Sequence, residues 1–286
     1  MPKKIAPPLL AARLWSELST LDFERLRRSK AIDQVLAVLP VAAIEQHGPH
    51  LPLCVDQALI EGIIAKTLPL LAPNLPVLFL PVQAVGRSEE HLRFPGTLSL
   101  SAQTLMQVWM ELGACVARSG VRKLLLLNAH GGQVSMMDIV ARDLRSRHDL
   151  LVYHANWYDL PLAATVQDQF SAEEQRFGIH GGDIETSMML ALRPKLVNMQ
   201  EARDFKSSAQ KRAAKYPILG NGKSAKMGWM TQDYNPMGAA GNAAAATPAK
   251  GKALVNESAR LLAQLLQELC DVPLSTLVDR PALPRY

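Results

Sequence analysis

The segment Glu45-Gln46-His47-Gly48-Pro49-His50-Leu51-Pro52, with Asp56 shortly after it, packs two carboxylates and two imidazoles into twelve residues directly behind an apolar run, Val35 to Ile44. Such a mixed oxygen and nitrogen donor set suits a borderline divalent cation such as zinc, manganese or iron. If the chain is still extended at Glu45, that side chain and His47 point to the same side, because side chains alternate along a strand. Gly48-Pro49 then breaks the strand, and the loop can return Asp56 beside them. Three further clusters carry reactive side chains: Asn128-Ala129-His130-Gly131-Gly132, Ser88-Glu89-Glu90-His91 with Phe94-Pro95-Gly96-Thr97, and His180-Gly181-Gly182-Asp183-Ile184-Glu185-Thr186-Ser187. Each has a plainer reading. A lone histidine can be a hydrogen-bonded loop residue, Asp56 an N-cap, and Asp183 a first-turn residue that suits the positive end of a helix dipole. Convergence favours a metal site, since Glu45, His47, Asp56 and His130 all lie where apolar runs end.

The elements that must position these residues follow from the apolar pattern. Val35 to Ile44, Val77 to Val85, Lys123 to Asn128 and Leu150 to Asn156 are short, branched-aliphatic runs that read as strands. Asp56 to Leu68, Ser101 to Ser119 and Gln133 to Arg147 have helical spacing. Strands alternating with helices imply βαβ units and a mostly parallel sheet covered on both faces. In such sheets, ligands collect beyond the carboxyl ends of the strands. Ser101 is placed to cap one helix, and Ser119-Gly120 to end it. Asp183 to Leu192 reads as a helix stopped by Pro194. Pro248 followed by Leu254, Leu261, Leu262, Leu265, Leu266 and Leu269 reads as a final amphipathic helix. Lys206 to Gly241 is polar and aperiodic, and Gly238 to Thr247 is alanine-rich. The expectation is one domain over 1–286 with a loop-rich excursion at about 200–245.

Composition sets the outer limits. The chain has 286 residues, of which 48% are hydrophobic and 20% charged, with a formal net charge of +5. Its basic residues are scattered or loop-borne, as in Arg25-Leu26-Arg27-Arg28 and Lys206 to Lys215, which argues against nucleic acid as a partner. Cys54, Cys115 and Cys270 form neither a disulfide framework nor a CxxC motif, and point to a reducing cytoplasm. Cys54 reads as a packing residue. Neither a signal peptide nor an apolar stretch of membrane-spanning length is evident, so no membrane partner is expected.

Taken in order, Glu45 to Pro52 with Asp56, Glu90-His91-x-x-Phe94-Pro95-Gly96-Thr97-Leu98-Ser99, Asn128-x-His130-Gly131-Gly132 and His180-x-Gly182-x-x-Glu185-Thr186 resemble the creatininase (creatinine amidohydrolase) family from about Leu18 to about Ala259. The resemblance implies a three-layer α/β/α sandwich with a mostly parallel sheet, two divalent metal ions (zinc first, manganese or iron otherwise) and a homohexamer. It implies that Asp56 bridges the metals, with Glu45 and His130 on one and His47 on the other. Creatininase proper also uses a glutamate two residues after the motif histidine; here that position is Gly132, and Glu185 is the expected replacement.

The implied reaction is hydrolysis of a carbon–nitrogen bond in a small, possibly cyclic amide such as creatinine by a metal-activated water. His180 is the expected acid/base and Glu185 a second catalytic residue. Ser88, His91, Gly131 and Trp157 are expected at the substrate, and His50 in support. Creatininase proper carries a tryptophan shortly before the catalytic histidine and a tyrosine beside the metal-binding one; this chain has Arg176-Phe177-Gly178-Ile179 and Gly131 there. Trp157 and Trp229 fill neither position. Relatives with the same glycine pair include formamide deformylases and a peptide-trimming enzyme, so those activities are the alternatives. A phosphorylated deformylase substrate would call for a phosphate site near Arg87 or Arg93. A non-catalytic scaffold that keeps metal for stability is the reading from another class.

Overall fold

The computed structural model describes residues 10–282. Four strands, β1 (Leu36–Val41), β2 (Val77–Phe79), β3 (Lys123–Asn128) and β4 (Leu151–Asn156), form one parallel sheet in the order β2-β1-β3-β4. Every residue of β1 and β3 is buried, as central parallel strands covered on both faces must be. The first helices are α1 (Thr20–Arg28), α2 (Val55–Thr67), α3 (Ala102–Arg118) and α4 (Val134–His148). There follow α5 (Ala164–Gln167), α6 (Ala172–Phe177), α7 (Asp183–Leu192), α8 (Ala209–Lys215), α9 (Thr231–Tyr234) and α10 (Pro248–Asp271).

Strand alternation sorts the helices into two layers. Leu36, Val38, Leu125 and Leu127 face α2, α7 and α10 through Leu59, Ile63, Met188, Leu262 and Leu266. Their neighbours Ala37, Leu39, Leu124 and Leu126 face α3 and α4 through Leu105, Trp109, Met137 and Leu144. The result is the expected three-layer α/β/α sandwich. Each fully buried aliphatic side chain contributes about 1.5–3 kcal/mol to holding it. Caps follow the sequence signals: Ser101 Oγ accepts from the Thr104 N–H at 3.1 Å, and Thr247 Oγ1 from the Lys250 N–H at 3.3 Å. No helix among the described residues is long and apolar enough to cross a membrane.

Two expectations change. The Val77 to Val85 run pairs as a strand only to Phe79, because Pro40 of β1 has no N–H to donate to the Leu80 carbonyl and continue the ladder; one isolated bridge, Val41 to Gln83, follows. The excursion is less irregular than its sequence suggests. It contains α8 and α9, and a two-stranded antiparallel ribbon, β5 (Asp204–Phe205) with β6 (Gly241–Asn242), joins its ends.

Candidate active site

β1 ends at Val41, and the chain runs on over the sheet edge with Glu45 and His47 buried at 1% and 0% exposure. Gly48 takes a positive φ of 76° that a side chain would strain, and the chain turns back there. The loop then enters α2, whose second residue is Asp56. Asp56 is therefore inside the helix and not its cap; Cys54 precedes the helix and makes no side-chain capping bond. His130 lies two residues beyond the end of β3, and Glu185 lies in the first turn of α7.

These elements bring five expected ligands together in two trios that share Asp56. In the first, His130 Nδ1 lies 3.2 Å from Glu45 Oε1 and 3.5 Å from Asp56 Oδ2. In the second, His47 Nε2 lies 3.6 Å from Asp56 Oδ1 and 3.8 Å from Glu185 Oε2. Each of these histidines donates its other ring N–H to a backbone carbonyl: His47 Nδ1 to Glu45 O at 3.0 Å, and His130 Nε2 to Arg87 O at 2.8 Å. Fixing one ring nitrogen in this way leaves the other as a directed lone pair, the usual arrangement behind a metal-binding imidazole.

The electrostatics ask for cations. Glu45, Asp56 and Glu185 crowd three carboxylates into one buried volume. Burial and Glu45 push the Asp56 carboxyl up, and burial carries Glu185 to about 7. Burial also pushes Glu45 up, but His130, His91 and His47 outweigh it and hold that carboxyl well below its usual range. Conversely, burial lowers His47 and His130, yet the carboxylates around them raise the first to about 9 and the second to about 10. Protons thus occupy the two nitrogens that a cation would take. Glu45 Oε2, His47 Nε2 and Asp56 Oδ2 are buried with no hydrogen-bond partner, as atoms awaiting an ion would be. The residues present fit divalent-cation binding.

His180 lies between His47 and His91, with ring centroids 4.0 and 4.3 Å away. Its Nε2–H donates to Gln46 O at 2.7 Å, and its Nδ1 faces Glu45 Oε1 at 3.9 Å. Burial, then His47 and His91, hold His180 well below the ordinary imidazole value, so it is neutral and Nδ1 is a proton acceptor. Gln46 is a residue that sequence reasoning passed over. Its Oε1 accepts from the Gly48 N–H at 2.9 Å, which turns its amide N–H toward His91 Nδ1 at 2.7 Å. Thr231 Oγ1 also meets His91 Nδ1 at 2.9 Å, and the ring so held places Nε2 3.4 Å from Glu45 Oε1.

Glu90 is a second residue that was given no role. It is buried at 7% exposure, with Oε1 unpartnered and 3.5 Å from His130 Nε2. A Cβ built on Gly132 would overlap the Glu90 carboxylate, so the glycine at the position of the family's glutamate makes room for a different carboxylate. His50 Nε2 meets Thr186 Oγ1 at 2.9 Å, a supporting contact. Asp183 accepts from Lys250 Nζ at 2.6 Å and Ser187 Oγ at 2.9 Å, as a structural helix residue would.

A cavity of about 520 Å³ opens from this cluster, and Glu45, Glu90, His91, His130, Gly131 and His180 line its inner end. Its outer wall comes from α6 and the excursion. Of the residues expected at the substrate, His91 and Gly131 line this cavity, but Ser88 and Trp157 do not. Ser88 is fully buried behind it. Trp157 turns into the core on the α2, α7 and α10 side at 3% exposure, because a large apolar ring at a strand end gains more by burial there. Arg87 and Arg93 are also absent from the lining; Arg87 pairs with Glu89 at 3.1 Å.

A parallel three-layer fold with clustered carboxylate and imidazole donors beyond its strand ends defines a class of α/β proteins built to hold a divalent cation. The family model of creatininase, creatinine amidohydrolase, matches residues 16–266, and the chain belongs to that family of amidohydrolases. It is 34% identical over 173 residues to the mycofactocin precursor peptide peptidase of Mycobacterium tuberculosis, a match spanning 58% of this chain and 62% of that protein. It is 33% identical over 201 residues to the creatinine amidohydrolase of Pseudomonas putida, spanning 66% of this chain and 75% of that protein. A tryptophan-to-alanine variant of creatininase superposes with a TM-score of 0.70 at 26% identity, covering 91% of this chain and all of the other. Other solved creatininases are described as a manganese form and a zinc–zinc form.

Proposed function

We propose that this protein is a dinuclear metal-dependent amidohydrolase. The observation that carries the reading is the pair of donor trios sharing Asp56, with one histidine in each trio oriented by a backbone carbonyl. Glu45, Asp56 and His130 would hold one ion, and His47, Asp56 and Glu185 the other, with zinc or manganese the leading metals and iron an alternative. Such ions lower the proton affinity of water and polarise an amide carbonyl. His180, neutral and with Nδ1 toward the cluster, takes up the proton that water loses and passes it to the departing nitrogen. Gln46 holds His180 and His91 in place for this. Gly131 and His91 flank the inner cavity where the amide would lie.

The bond cleaved belongs to a small amide. A cyclic amide such as creatinine is one reading. A formamide or a peptide-like amide is the other, favoured by the size of the cavity and by the match to a peptide peptidase. The family resemblance supports a homohexamer, and the three free cysteines suit a reducing cytoplasm. Metal removal tests the central reading. Dialysis against a chelator is expected to take the metal content from two ions per chain to none and abolish amide hydrolysis, with zinc, manganese or iron restoring both. Undiminished turnover in metal-free protein would overturn it. Metal binding without turnover of any amide would leave the scaffold reading in its place.

A further inference from the structure

We propose that the cavity accepts an extended amide ending in an anionic group, with the amide at the donor cluster and the anion held by Arg212, assisted by Arg176 and Lys226. The inference rests on the hydrolytic reading above for the position of the amide, and on separate residues for the anion. Charge in this cavity is segregated. Its acidic lining residues, Glu45 and Glu90, lie at the inner end; its cations, Arg176, Arg212 and Lys226, belong to α6 and the excursion. Among the described residues none of these three cations has a carboxylate within 4.0 Å, whereas Arg25, Arg28, Arg142, Arg145 and Arg147 all do.

An aromatic ladder joins the two ends. The His91 ring, whose Nε2 is 3.4 Å from Glu45, meets the edge of Trp229 at 6.4 Å between centroids. Trp229 meets Tyr234 edge-on at 5.0 Å, and the Arg212 guanidinium lies 5.0 Å over the Tyr234 ring. Arg212 is further fixed by donating from Nη1 to Ser208 Oγ at 2.8 Å. A guanidinium stacked on a ring and tethered at one nitrogen presents its remaining N–H groups as a pre-organised fork for a carboxylate or phosphate. A compact neutral ring at the cluster would leave this fork and ladder unused. The cavity volume of about 520 Å³ suits a ligand long enough to reach both.

Matched probe pairs test this on the metal-loaded protein by calorimetry. N-acetylphenylalanine is compared with its carboxamide, and N-acetylethanolamine phosphate with the free alcohol. At least one anionic member is expected to bind about ten-fold tighter than its neutral twin, the effect of one charge-assisted contact, and the pair that shows it assigns carboxylate or phosphate. Arg212→Gln is expected to bring that ratio to within about two-fold while metal content and the neutral twin's Kd stay unchanged; Arg212→Lys should keep part of it. Equal binding within both pairs overturns the proposal. So does a ratio that survives in Arg212→Gln, since the anion would then be on the metals. If no amide is hydrolysed but the ratio collapses as expected, the hydrolase reading fails and the anion site stands.

Discussion

The floor of the cavity and its outer wall are built on opposite plans. On the floor, the cavity-lining Glu45 and His130 cluster with His47, Asp56 and Glu185, all carried beyond the ends of β1 and β3 or in the first turns of α2 and α7, and the second ring nitrogen of each ligand histidine is bonded to backbone. On the wall, Arg176 and Lys226 are exposed, Arg212 and Trp229 half-buried, and the backbone comes from short α6, α8 and aperiodic chain. The rigid sheet edge suits chemistry that tolerates little displacement, and the wall suits recognition, which can vary.

Substitutions should separate the two regions. Asp56→Ala, which removes the shared carboxylate, is expected to lower metal content from two ions toward none and to reduce kcat/KM by at least about 100-fold, checked by elemental analysis and amide turnover. Glu185→Gln should leave one ion per chain with a similar loss of rate; retention of two ions would remove Glu185 from the ligand set. Gly132→Ala should drive the Glu90 carboxylate off His130 and weaken metal affinity by roughly 10-fold or more, measured by competition with a chromogenic chelator. Trp229→Ala, on the wall, should raise KM by about ten-fold or less with kcat nearly unchanged; a collapse of kcat would erase the division between floor and wall.

Acidity sharpens the same contrast. In metal-free protein, His47 and His130 are raised to about 9 and 10, so the stability they add is complete below pH 6.5 and lost as pH rises through those values. His91 is lowered to about 4 by burial, and its contribution is complete above pH 6.5 and lost as pH falls through 4. Glu185, carried to about 7, adds stability that is lost as pH rises through that value, so the metal-free Tm should decline on the alkaline side first with Glu185 and then with His47 and His130, and on the acid side with His91. Loading should displace the two protons and flatten the alkaline decline. Identical alkaline profiles with and without metal would argue that the ions bind elsewhere.

Much of the floor could be read from residue order, since Glu45 and His47 follow an apolar strand closely, although that strand ends at Val41 and not at Ile44, and the glycines after His130 and His180 mark close approach. Three things could not. Glu89 and Glu90 are adjacent and identical in type, and only the fold buries one of them against His130. Gln46 could not be read either, because its amide meets His91 and its backbone carbonyl accepts from His180, 45 and 134 residues away. Trp157 has a type that suits a ligand pocket as well as a core, and only the turn that follows β4 sends it into the core. The wall was illegible for another reason: Arg212, Trp229 and Tyr234 follow no period, and only the folded excursion gathers them.

The β5–β6 ribbon joins the two ends of that excursion, Phe205 opposite Gly241, before the chain returns to α10. A segment clasped at its base behaves as an interchangeable cassette. Doubling its length would cost only about 0.6 kcal/mol in closure entropy, so this fold can trade one recognition wall for another provided the new segment keeps Thr231, which bonds to His91 and Glu90, and Ala240, which pairs with His180. Grafting the 206–240 segment of a relative between the two ribbon strands should transplant that relative's substrate preference along with its loop.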